Sequence, residues 1–129
     1  MLASVTKLDD QPIIIVRYQA PFRPQEDISA AQEQIAKLLD DHGQHNMFRI
    51  DDLSEAGMDW NSFVEGIFIA TRDVPGSMTD TRINGVLVGE DALVKMASES
   101  MKQEQYGSTQ AMMFDCMHQA MAYVQEQLA

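Results

Sequence analysis

Pro12-Ile13-Ile14-Ile15-Val16 constrains this chain more than any other stretch. The β-branched residues follow one another with no polar position between them. A strand of that composition is buried on both faces, so it belongs to a sheet with packing layers on either side. Pro12 opens it, a place in a strand where proline is tolerated. Upstream, Leu2–Leu8 alternates weakly, and Asp9-Asp10-Gln11 makes a turn, so the two segments read as an N-terminal hairpin.

The rest of the chain alternates between helical and strand patterns. Gln19–Gln25 holds Pro21 and Pro24 and reads as a loop. A helix follows from Glu26 or Asp27, with Ile28, Ala31, Ile35, Leu38 and Leu39 as its apolar stripe and Gly43 as its C′ glycine. Gln44-His45-Asn46 leads into a strand, Met47–Ile50, which stops at the carboxylates Asp51 and Asp52. A polar loop runs through Gly57 to Asp59, a good N-cap. Trp60, Phe63, Val64, Ile67, Phe68 and Thr71 then recur at helical spacing until Val74-Pro75-Gly76 ends the helix, because a residue before proline avoids the α region. After the polar connection Ser77–Arg82 comes a strand within Ile83–Val88. Gly89-Glu90-Asp91 turns into a helix carrying Leu93, Met96, Ala97 and Met101. Ala111–Phe114 is the last strand, and Asp115 caps a final helix with Met117, Ala120, Met121, Val124 and Leu128 inward. The order ββαβαβαβα predicts one α/β domain over residues 1–129: a mostly parallel sheet of four to five strands with an antiparallel hairpin strand at its edge.

Charge narrows the partners. Against 20 acidic residues stand 9 basic ones, a formal net charge of −11, so there is no cationic surface to neutralise phosphates and no reason to expect nucleic acid or an anionic membrane. No apolar run approaches the roughly 20 residues of a membrane span. The N-terminal stretch lacks a signal-like apolar core, and Cys116 is the only cysteine; together these point to a cytoplasmic protein.

Several constellations bear on chemistry. If the sheet is parallel, its carboxyl ends gather Arg17, Asp51, Asp52, Gly89, Glu90, Asp91, Asp115 and Cys116. Asp51, Asp52 and Asp115 have the oxygen chemistry of a divalent-cation pocket. A receiver-like acyl-phosphate site would look similar, but no lysine follows the last strand and no Ser or Thr ends Val86-Leu87-Val88. Asp91 and Asp115 are as well explained as helix caps, so no metal and no cofactor is expected. Cys116 has no histidine at a useful spacing and reads as a packed structural cysteine. His42 and His45 flank Gly43 without further ligands nearby. Gly76–Gly85 follows a helix rather than a strand and fails the context of a nucleotide loop. Trp60 and Phe22 are possible exposed anchors, although at helical spacing with Phe63 and Val64 the indole reads as core. No complete catalytic motif is present, and the chain is not expected to be an enzyme.

Three stretches carry a resemblance. Arg49–Phe63 (RIDDLSEAGMDWNSF), Gly85–Met96 (GVLVGEDALVKM) and Met112–Val124 (MMFDCMHQAMAYV) are similar to corresponding parts of the SpoIIAA-like, or STAS, domain family. The resemblance implies the STAS fold and a regulatory protein-interaction module, like the anti-sigma factor antagonists. In those proteins a serine at the start of the second helix is phosphorylated by a partner kinase. The family's Asp-Ser-Ser/Thr-Gly pattern keeps its Asp as Asp59; its serine positions fall on Trp60 and Asn61, and Ser62 stands where Gly is expected. Ser62, and more weakly Ser54, are then the phosphorylation candidates, within an interaction loop of Asp51, Asp52, Ser54, Asp59, Trp60 and Asn61. A plain helix-start hydroxyl is the simpler account of Ser62. The alternative is a carrier of the same fold, with Met-rich helices enclosing an apolar small molecule or lipid. A protein partner is expected, and a homodimer stays open.

Overall fold

The computed structural model describes residues 3–42 and 46–129, the His42 side chain excepted. The chain forms β1 (Ala3–Lys7), β2 (Ile13–Gln19), α1 (Pro24–His42), β3 (Met47–Glu55), α2 (Trp60–Ala70), β4 (Ile83–Val88), α3 (Ala92–Met101), a 3₁₀ turn (Glu104–Tyr106), β5 (Ala111–Phe114) and α4 (Met117–Leu128). The ββαβαβαβα order is as expected. The five strands make one sheet in the order β1-β2-β3-β4-β5, with β1 antiparallel to β2 and every other pair parallel.

The alternation of strand side chains divides the core into two layers. Ile14, Val16 and Tyr18 of β2, with Met47 of β3 and Leu87 of β4, face α1, α2 and α3. Ile13, Ile15, Ile50, Val86 and Val88 face the other way, where Ala120 and Val124 of α4 cover them. The whole run from Ile13 to Val16 is buried. Helices therefore pack three on one face and one on the other.

Gly76, at φ +84°, follows the turn after α2; a Cβ there would collide with the Gln32 backbone of α1, so only glycine allows the loop to come that close. Gln32 closes the same contact from α1 by donating to the Ile69 carbonyl at 2.8 Å.

Several boundaries differ from expectation. The first long helix starts at Pro24, ahead of Glu26, since proline suits the opening turn of a helix, where no intrahelical N–H bond is lost. Gly43 and His45 lie outside the described residues. β3 does not stop at Asp51 and Asp52 but continues to Glu55, because pairing with β2 and β4 runs on through both aspartates. α4 is capped by Cys116 rather than Asp115 and begins at Met117. Among the described residues no helix is long and apolar enough to cross a membrane.

Candidate functional site

Asp51 and Asp52 occupy successive positions on β3, so their side chains leave opposite faces of the sheet. Asp52 points to the α4 face, where Arg17 of β2 approaches it at 3.8 Å, and Asp115 belongs to the turn between β5 and α4. The three carboxylates considered for a cation pocket do not converge. Among the described residues no group of three Asp, Glu, His or Cys side chains is placed to hold a metal ion.

Asp51 instead enters a buried network that sequence reasoning missed. Arg49, two residues earlier on the same face of β3, is fully buried. Its Nε donates to Asp51 Oδ1 at 2.7 Å and its Nη2 to Asp51 Oδ2 at 2.9 Å, a bidentate pair. Its Nη1 donates to the Gly76 carbonyl at 2.7 Å. Tyr18 of β2 donates its hydroxyl to Asp51 Oδ2 at 3.1 Å. Burial, then the Asp51 charge, pushes the Tyr18 phenol far above its ordinary range, while Asp51 and Tyr18 hold the Arg49 guanidinium in its charged form against the cost of burial. Every polar tip of this cluster has a partner, and it clamps β2, β3 and the loop after α2 together.

Beside it lies a cavity of about 40 Å³ between the sheet and the α2–α3 layer, lined by Tyr18, Phe22, Leu53, Phe63, Met78 and Met101 among others. One water needs roughly 10–15 Å³, and ligand pockets run from roughly 300 to 1,000 Å³. The space suits a few waters and is far too small for an acyl chain.

The carboxyl ends of β3, β4 and β5 do gather part of the expected rim. Ser54, Glu90, Asp91, Asp115 and Cys116 border an open recess of about 350 Å³. Asp91 is engaged as the N-cap of α3, accepting from the Leu93 N–H at 2.8 Å, and Asp115 lies 4.0 Å from Lys95. Cys116 is exposed rather than packed, because it precedes the first turn of α4 instead of lying within it. Because the strand order runs 1-2-3-4-5 without reversal, no two crossover connections diverge, and the sheet lacks the switch-point crevice where ligands of open α/β folds bind.

The remaining site residues lie at the start of α2. Asp59 caps that helix, its Oδ1 accepting from the Ser62 N–H at 2.7 Å, and these bonds draw the Asp59 carboxyl below the usual carboxylate range. Ser62 is half-buried at the cavity, whereas Ser54, Trp60 and Asn61 are exposed. The indole is the main departure from expectation. Trp60 is 59% exposed, and Val64 (49%) and Phe68 (66%) continue it along the same side of α2 at i, i+4 and i+8. The inward side is taken by Phe63, Gly66, Ile67, Ile69 and Ala70. α2 is apolar almost all round, and the sheet and its neighbours cover only part of it. Phe22, the other aromatic considered as an anchor, is buried edge-on against Tyr18, with ring centroids 5.2 Å apart.

Comparison of the chain with protein-family models, with curated proteins and with solved structures returns no significant match in any of the three.

Proposed function

We propose that this chain is a non-enzymatic protein-interaction domain of STAS-like architecture that docks its partner on the outer face of α2. The observation that carries this reading is the contiguous exposure of Trp60, Val64 and Phe68. Isolated exposed apolar residues are ordinary on a protein surface, but an apolar helix face that carries two aromatic side chains marks an interaction site. The mixed sheet, its sequential strand order and the ββαβαβαβα sequence of elements support the STAS-like assignment. For the carrier alternative, the apolar cavity is only about 40 Å³, and the larger recesses, of about 350 and 420 Å³, are open and lined as much by polar as by apolar groups.

Docking here does not need a phosphoserine. The Ser62 N–H is already held by Asp59, so a phosphoryl group on Ser62 would stand beside a carboxylate and repel it. Ser54, exposed at the end of β3, is the more accessible hydroxyl. Mass spectrometry of the protein from its native host decides this, and an unmodified Ser54 and Ser62 under all growth conditions is the expected result.

The interaction itself is tested by differential capture. Wild-type protein and a Phe68→Ser variant are immobilised, and proteins retained only by the wild type are purified and rebound as pure components. Phe68 is exposed, so the substitution should change stability by no more than about 0.5 kcal/mol. A partner lost with Phe68→Ser supports the reading; identical captured sets for the two baits contradict it.

A further inference from the structure

The apolar face extends beyond α2. On α3, Leu93, Met96 and Ser100 recur at i, i+3 and i+7, and Met96 is 42% exposed. Lys95 and Ser98 mark the opposite side of that helix: Lys95 lies 4.0 Å from Asp115, and Ser98 Oγ donates to the Ala111 carbonyl of β5 at 2.8 Å. Leu93 and Met96 therefore look toward α2. Two neighbouring helices with apolar residues on facing shoulders form a trough that receives a third helix. The α2 residues of the trough span about 12 Å along the axis, roughly two turns of a docked helix.

The charge around the trough is one-sided. No Lys or Arg occurs from Asp59 to Thr71, and Arg72, the next residue, is turned to α1, where its Nη2 donates to Ser29 Oγ at 3.2 Å. Glu65 of α2 and Asp73 just beyond it have no ion-pair partner among the described residues. Glu99 of α3 meets only Lys102, at 3.4 Å and in solvent. A second copy of this chain, itself at −11, would bring these carboxylates against their own images. From the apolar trough and its uncompensated carboxylates we propose that the docked segment is a cationic amphipathic α-helix, apolar on one face and Lys- or Arg-rich on the flanks. This inference rests on α2 being the docking face.

Trp60 is the only tryptophan, so its fluorescence reports on the trough directly. Three synthetic peptides of about 18 residues, long enough to hold a helix once docked, serve as probes. One carries Leu at i, i+3, i+4 and i+7 with Lys elsewhere; the second has Glu in place of every Lys; the third is a scramble of the first. The first should shift Trp60 emission to the blue and saturate, binding about tenfold or more tighter than the others and more weakly as salt is raised. Phe68→Ser and Met96→Ser should each weaken it by about tenfold, with the far-ultraviolet dichroism of the protein unchanged.

Equal binding of the scramble would mean charge attraction alone and overturn the proposal. Equal binding of the anionic peptide would overturn the cationic assignment and leave the docking face standing. Sedimentation that shows a dimer, dissolved by Phe68→Ser and sheltering Trp60, would make a second copy the occupant and overturn it as well. If no peptide binds while capture still depends on Phe68, this inference fails alone; if capture is also indifferent to Phe68, both readings fail.

Discussion

Arg49 and Asp51 are charged residues in the centre of a sheet, and their energetic role follows from that position. Removing one partner of a buried pair strands the other, so Arg49→Met should cost about 3–5 kcal/mol. Replacing both, in Arg49→Met with Asp51→Leu, should recover most of that loss, because the desolvation cost disappears with the charges. Urea denaturation of the two single variants and the double variant gives the cycle. Tyr18 adds a pH dependence of definite sign. Its phenol binds its proton more tightly in the folded chain than in the unfolded one, so its contribution is intact below the ordinary tyrosine value of about 10 and is lost as pH rises above it. Ultraviolet titration should show Tyr18 un-ionised until alkaline unfolding, and Tyr18→Phe should flatten the stability profile above pH 10, the tyrosine value of about 10 being the threshold. This cluster was not legible: the apolar run ends at Ile50 and leaves Asp51 in the loop, so only the observed continuation of β3 puts Arg49 and Asp51 on one face. The groups that enclose the pair, Tyr18 and the Gly76 carbonyl, come from segments distant in sequence.

Among the elements, β5 matches its apolar run residue for residue, and β4 fills the whole of Ile83–Val88, where pairing with β3 carries it through Asn84 and Gly85. β3 ran past its apolar run because a strand paired on both sides keeps its hydrogen bonds even when Asp52 faces outward. α2 shows the limit of periodicity. Apolar residues nearly all round a helix say that it is a helix but not which side is covered, and that is set by where α1 and α3 flank it. Its start was legible in Asp59, and the cap has a testable consequence. Asp59→Ala should speed amide exchange at Ser62 and lower the thermal midpoint modestly at neutral pH. The Asp59 carboxyl is drawn down on folding, so its stabilisation is present above the usual carboxylate range and lost as acid protonates it; the wild type and Asp59→Ala should therefore converge at low pH.

At the scale of the whole molecule, a sheet in strictly sequential order has no switch-point crevice, the recess at its carboxyl ends is open and bordered by carboxylates, and the apolar cavity beside the buried cluster is too small for a ligand pocket. What distinguishes this surface is an uncovered apolar face over α2 and α3 on an otherwise acidic protein. The sequence carried the layers and the element order, because each strand and helix pattern is local. It did not carry the exposed apolar face, because exposure is a property of the assembled layers. A docking role for this face requires that it be open to water in the free chain. Acrylamide quenching of Trp60 in the isolated protein tests it most directly. Red-shifted emission and ready quenching are expected of an indole that is 59% exposed and rests on Phe63; a blue-shifted, quencher-protected indole in the monomer would contradict an open face.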